Sequence, residues 1–235
     1  MYHNDPIIRD LEVMSDAVRY NDWLFSQFRP FLGNRILEVG AGIGNFTEKL
    51  LDREHVVATD VYEPCVLYLE KRFSRNANVY PLFRDISSDD IADLRQHNFD
   101  TILCMNVLEH IRDDQAALDT LFTLTRDRGK LLLLVPAFPV LFGTIDRMVG
   151  HHRRYTKNVL VRKCAQSGFQ IRSAYYMNWP AFLGWFVNNR LLMNREESSR
   201  QVKFYDSLII PWLRVLEGII HPPFGLSIVL VAEKI

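Results

Sequence analysis

Residues 36–47 read ILEVGAGIGNFT. An apolar run that should be buried holds one acidic residue, Glu38, and gives way to glycines at alternate positions, Gly40, Gly42 and Gly44. Glycines there let the backbone turn tightly and approach a ligand where any Cβ would collide. A helix expected over Asn45–Arg53 would present free N–H groups beside that turn. Nicotinamide and flavin enzymes also use a glycine-rich turn, but their G-x-G-x-x-G spacing asks for a third glycine where this chain has Asn45. Glu38 separates the cases further. A carboxylate inside the strand, directed to its ligand end, suits an ammonium and repels a pyrophosphate.

Outward from this stretch the chain alternates. Apolar runs at Arg35–Val39, Val56–Thr59, Val79–Leu82, Thr101–Met105 and Lys130–Val135 read as buried parallel strands. Between them lie segments of helical period, Asn45–Arg53, Pro64–Arg72, Asp89–Gln96 and Asp113–Arg126. This rhythm predicts an α/β fold, an open parallel sheet with helices on both faces. Ligands of such sheets sit beyond the carboxyl ends of the strands, so the residues just after each strand carry the function. Upstream, Ile8, Leu11, Met14, Val18, Leu24 and Phe28 recur at helical spacing, which predicts a helix over 8–31 ended by Pro30. Downstream, a loop from Pro136 to Tyr155 leads to a helix capped by Thr156, a strand at Phe169–Tyr176 and a last strand at Gly225–Glu233. The aromatic and aliphatic segment between those strands, about 178–222, predicts a helical cap; it holds Trp179, Phe182, Trp185, Phe186, Leu191, Leu192, Phe204, Tyr205, Trp212 and Leu216.

With 235 residues, 48% hydrophobic and 24% charged, the chain suits one domain over 1–235 with a full core. Its net charge of zero gives no global attraction to nucleic acid. The scattered Cys65, Cys104 and Cys164 show no metal or disulfide spacing and point to a reducing, cytoplasmic setting. The N-terminal stretch is acidic, broken by Pro6, and does not read as a secretory signal. The longest apolar run, 131–143, is interrupted by Pro136 and Pro139 and falls short of the ~20 residues a spanning helix needs.

Three further residues follow strand ends. Asp60 in VVATDVYEP can accept both ribose hydroxyls, Asp85 in LFRDI is placed for an adenine amine, and Asn106 closes the fourth strand in FDTILCMNVLEHI. Together these residues resemble the class I S-adenosylmethionine (SAM) dependent methyltransferase superfamily over nearly the whole chain. Glu38, Gly40, Ala41 and Gly42 match its first motif, Asp60 with Val61 the ribose-binding acid, Asp85 with Ile86 the adenine pair, and Asn106 with Val107 the start of the fourth-strand motif. Tyr20, Asn21 and Trp23 resemble the helix that closes over the methionine end of the cofactor. The resemblance implies a Rossmann-like seven-stranded, mostly parallel sheet whose last strand is antiparallel, with SAM as cofactor and S-adenosylhomocysteine (SAH) as product. The chain lacks a nucleic-acid base-methylation tetrad, because its fourth strand ends in Asn106-Val107-Leu108-Glu109.

The acceptor should lie at the loop VPAFPVLFGTIDRMVGHHRRYTK, which resembles a bacterial subset of the superfamily with an FG…D…GH.RRY pattern. Methyl transfer from a sulfonium is an in-line displacement, so the protein supplies alignment, desolvation and, for a hydroxyl, a base. His151 is the candidate base, because imidazoles titrate near neutrality, with Asp146 orienting its ring or sharing the proton. Arg153, Arg154 and Tyr155 are candidate acceptor contacts, as are Trp179 and Trp185 in the cap; polar residues in such a loop also serve to pin it to the sheet. The pair Glu109-His110 resembles a metal-binding stretch of ubiquinone-type O-methyltransferases, but Asn106 stands in place of its first acid. One carboxylate with one imidazole makes a poor site, so no metal is expected. The apolar cap favours a hydrophobic acceptor methylated on oxygen, and leaves weak membrane-surface contact or a homodimer open. Methylation of a prenyl-type or activated carbon, and a non-catalytic partner protein of the same fold, stand as alternatives.

Overall fold

In β1 (Arg35–Val39) alternate side chains face opposite ways, Ile36 into one core and Leu37 into the other, and both are fully buried. A strand buried on both faces must be central, because each face needs a covering layer. The computed structural model describes residues 5–87, 91–185 and 205–235, and puts β1 inside a seven-stranded sheet, third from one edge. In chain order the other elements are α1 (Pro6–Ser15) and α2 (Val18–Ser26) ahead of β1, then β2 (His55–Asp60), α3 (Glu63–Arg72), β3 (Val79–Phe83), α4 (Ala92–Arg95), β4 (Phe99–Met105) and α5 (Asp114–Leu124). After these come β5 (Thr125–Pro136), α6 (Thr144–Met148), α7 (Lys157–Gln166), β6 (Gln170–Met177), α8 (Trp179–Trp185), α9 (Ile210–Ile219) and β7 (Ser227–Glu233).

The strand order is β3-β2-β1-β4-β5-β7-β6, with β7 antiparallel to both its neighbours and the other pairs parallel. Connections run one way from β1 to β3 and the other way from β4 onwards, so the crevice at the carboxyl ends of β1 and β4 is where such folds take a ligand. One core packs Leu37, Ile102, Leu133 and Leu230 against Leu118 and Leu121 of α5 and Leu160 of α7. The other packs Ile36, Val56, Leu103 and Val229 against Trp23 and Leu24 of α2 and Leu213 of α9.

Several local expectations change. The helix expected over 8–31 is two helices, broken at Asp16–Ala17, where Ala17 leaves helical geometry (φ −80°, ψ 61°). Asn21 makes the break tolerable by donating back to the Met14 carbonyl at 2.9 Å. Asp5 caps α1, while the first turn of α2 is capped from far along the chain by Asp206, which accepts from Tyr20 N–H at 2.7 Å and Arg19 N–H at 3.3 Å. The helix expected over Asn45–Arg53 is only a 3-10 turn, Thr47–Leu50. Phe46 and Thr47 favour helix weakly, and the Thr47 hydroxyl is drawn instead to Glu38 at 2.6 Å. The strand expected over Lys130–Val135 starts earlier, directly after α5, through Arg128 at positive φ (60°). The cap is helical where described: α8, a π-helical turn at Tyr205–Ile209, and α9. Phe186, Leu191, Leu192 and Phe204, along with the start of the segment expected at Asp89–Gln96, lie outside the described residues. Among the described residues no helix is long and apolar enough to cross a membrane.

Candidate functional site

At the crevice, Gly40 turns with φ +69°, and a Cβ there would meet Val107 Cγ2 at 2.3 Å. Backbone conformation and close packing thus both require glycine. Gly42 (φ +56°) donates its N–H to Asp60 Oδ2 at 2.8 Å, while Asp60 Oδ1 accepts from Tyr62 N–H at 2.9 Å. The acid at the end of β2 therefore holds the glycine loop in place. Burial raises its carboxyl above the usual range, against the pull of those backbone N–H groups. Glu38 is 3% exposed and meets the Thr47 hydroxyl, and no cationic side chain pairs with it among the described residues. Burial pushes its carboxyl up to about 7.

Around this centre Val61 stands 61% exposed, Ala41 and Ile86 are buried, and Asp85 is exposed, accepting from the Ser87 N–H and hydroxyl. Asn106 is exposed at φ +54° and Val107 lies against Gly40. Tyr20 of α2 is half-buried, its ring tilted against Trp23. Glu38, Gly40, Ala41, Gly42, Asp60, Val61, Asn106 and Val107 thus gather at one edge of the sheet, with Asp85 and Ile86 following β3. A buried carboxylate without a cation, beside a glycine-rich loop and a strand-end acid, fits a ligand that brings an ammonium and no phosphate. Sequence reasoning missed Leu11, whose Cδ1 would sit 3.3 Å from a Cβ on Gly42. The spacing marked it as helical, but nothing local showed that α1 lies over the loop.

The loop after β5 is fastened at its ends by a bridge between Ala137 and Tyr155 and by Phe138 N–H to the Tyr155 carbonyl at 2.7 Å. Asp146 is fully buried at its centre. It accepts from Gly143 N–H (2.9 Å) and Arg154 Nε (2.7 Å), and its Oδ1 lies 2.9 Å from His151 Nδ1. Burial alone would raise its carboxyl, but the His151 and Arg154 hydrogen bonds outweigh burial and hold it at about 2. The structure thus brings Asp146 and His151 together at their side chains.

Three residues expected to contact the acceptor are engaged by the protein. Arg154 is buried, with Asp146 on one side and the Trp185 ring 4.8 Å away on the other. Arg153 pairs with Asp114 Oδ1 at 2.7 Å and donates to the Arg112 carbonyl. Tyr155 is 1% exposed and its hydroxyl donates to Asp114 Oδ2 at 2.9 Å. Their hydrogen bonds pin the loop onto α5 and the turn after β4, so each of the three has a structural role beside the acceptor contact expected of it. Trp179 and Trp185 are half-buried at the two ends of α8, whose start is held by Glu217 accepting from Asn178 and Trp179 N–H.

His151 is half-buried, with Nε2 3.8 Å from Glu109 Oε1 and its ring edge-on to His110 at 4.6 Å between centroids. Glu109 is fully buried, and neither carboxylate oxygen has a hydrogen-bond partner. Burial raises its carboxyl to about 8, and burial together with neighbouring imidazoles lowers His110 to about 4. The sequence named this Glu-His pair but gave no sign that His151 would join it.

A family model described as a methyltransferase domain matches residues 14–174. A ubiquinone biosynthesis O-methyltransferase of Aeromonas salmonicida is 27% identical over 114 residues, 48% of this chain and 47% of that protein. Juvenile hormone acid O-methyltransferase of Bombyx mori is 28% identical over 129 residues, 53% of this chain and 45% of that protein. The chain thus spans about half the length of the curated relatives it matches. A SAM-dependent methyltransferase structure from Mesorhizobium loti superposes with a TM-score of 0.63 at 12% identity, covering 90% of this chain and 98% of that one. By its family match and its sheet order, the chain belongs to the methyltransferase-domain family, within the class I SAM-dependent methyltransferase superfamily.

Proposed function

We propose that this protein transfers a methyl group from SAM to an oxygen of a hydrophobic small molecule. The observation that carries the reading is Glu38, a buried carboxylate with no cation, set beside the Gly40–Gly42 turn that Asp60 holds in place. When bound, the cofactor supplies a methyl group made electrophilic by its sulfonium. Glu38 holds the ammonium, Asp60 the ribose hydroxyls, and Asp85 with Ile86 the adenine. Gly40, Ala41, Val61, Asn106 and Val107 form the walls, and Tyr20 closes the methionine end. On the acceptor side, Asp146 fixes Nδ1 of His151 and leaves the Nε2 electron pair for chemistry at the acceptor oxygen. Trp179 and Trp185 give that side its apolar character, and O-methyltransferase relatives support oxygen as the target.

Leu11, which stands over Gly42, is the observation that favours a second reading, a non-catalytic protein of this fold whose site stays covered. Calorimetric titration with SAH decides between them. Micromolar binding, weakened about 10²-fold or more by Asp60→Ala, supports the transferase; no binding by the folded protein supports the second reading. With an acceptor in hand, His151→Ala should lower kcat by around 10²-fold and leave SAH affinity unchanged. A product with a new carbon–carbon bond would overturn the assignment to oxygen.

A further inference from the structure

Burying a carboxylate with both oxygens unpartnered is costly unless a cation meets it. Glu109 is such a group, and what faces it is not a lysine or arginine within hydrogen-bonding distance but two imidazoles. One ligand atom from each of Glu109, His110 and His151 lies within 4.8 Å of the others. Donors sharing one ion at about 2.0–2.2 Å stand roughly 3–4 Å apart, so the set would close with shifts of about 1–2 Å at its widest pair.

The surroundings of the histidines match the needs of metal ligands. Histidine ligands are held by a hydrogen bond from the other ring nitrogen to a carboxylate or to the backbone, which fixes the tautomer and the ring orientation. His151 has that arrangement: Nδ1 lies 2.9 Å from buried Asp146, and Nε2 faces Glu109 at 3.8 Å. Asp146 is itself held by Arg154 and the Gly143 N–H. His110 is supported by a hydrogen bond to the Gly150 backbone. Glu109 and His110 follow β4 while His151 comes from the loop after β5, so the donors converge from separate segments. The exposed Asn106 takes no part.

We propose that Glu109, His110 and His151 form a binding site for a divalent transition-metal ion. Two imidazoles and one carboxylate favour zinc, cobalt or iron(II) over magnesium, which prefers oxygen donors. Three protein donors leave a coordination position open, and the exposed edge of His110 gives the ion a way in. The expectation of no metal counted one imidazole, and the fold brings a second beside it. Bound to the ion, His151 would serve as a ligand instead of a base: its Nε2 electron pair would be held by the metal, which as a Lewis acid would lower the pKa of an acceptor hydroxyl so that its proton passes to water. That part rests on the methyl-transfer reading; binding of the ion does not.

The test uses the full chain stripped with EDTA and titrated with Co²⁺, followed by visible d–d absorption, and with Zn²⁺ by calorimetry. Each variant is also titrated with SAH, which reports folding and tests the methyl-transfer reading separately. The wild type should take up one ion per chain. His151→Ala and Glu109→Gln should each weaken binding on the order of 10²-fold, and Asp146→Asn about 10–100-fold. His152→Ala, an exposed neighbour outside the donor set, should leave it unchanged. Absence of Co²⁺ absorption and Zn²⁺ heat in the wild type, or undiminished binding in the donor variants, would overturn the site. Metal binding without SAH binding would retain the site and remove the methyltransferase.

Discussion

The cofactor edge and the loop after β5 both gather carboxylates at the ends of neighbouring strands, but they compensate them differently. Glu38 and Asp60 are held by a hydroxyl and backbone N–H groups, with no cationic side chain among the described residues. Asp146 and Asp114 are met by cations: Arg154 for the first, Arg153 and Lys163 for the second. Carboxylates that look alike in sequence therefore do opposite jobs. Where the protein withholds a cation, a ligand's positive charge can be received; where it provides one, a loop is fastened. Glu109 sits inside the fastened region yet belongs with the first kind.

The sharpest way to break this contrast is Arg154→Met. It leaves Asp146 buried without its guanidinium and should cost about 3–5 kcal/mol in urea unfolding. A loss below about 1 kcal/mol would mean that the loop is not fastened by this pair. Gly40→Ala should come next, at about 2–4 kcal/mol, from left-handed backbone and overpacking against Val107. It should also abolish SAH binding, and a variant that binds normally would place the ligand away from this turn. The third prediction concerns pH. Burial holds the Glu38 carboxyl near 7 in the ligand-free protein, and an ammonium favours its ionised form. SAH affinity should therefore rise as pH climbs through 7 and level off above 8, a gain of up to about tenfold from pH 6. Glu38→Gln should flatten that profile; an unchanged slope would assign the titration elsewhere. The smallest effect is Tyr155→Phe, about 1 kcal/mol, because Asp114 keeps its two cations.

Much of the fold was legible because it is written locally. Apolar runs marked the first five strands, and the residues just beyond them, Asp60, Asp85 and Asn106, lie at or just after the carboxyl ends of β2, β3 and β4. What escaped the sequence is pairing at a distance. Arg154 reads as a polar loop residue, and only the closed loop shows its charge spent on Asp146. The break between α1 and α2 depends on Asn21 reaching back to Met14, and the start of α2 on Asp206, 186 residues from Tyr20. Thr47 opens only a 3-10 turn where the spacing predicts a helix, and its hydroxyl goes to a buried acid nine residues earlier.

The Asp206 cap has a consequence of its own. It ties the segment between β6 and β7 to the first turn of the helix that carries Tyr20. If an acceptor shifted the turn that carries Asp206, it would change how firmly Tyr20 is held, and a cofactor that settled Tyr20 would in turn favour one position of Asp206. Thermodynamic linkage makes the two effects equal in free energy, so each ligand would alter the other's affinity by the same factor, whichever arrives first.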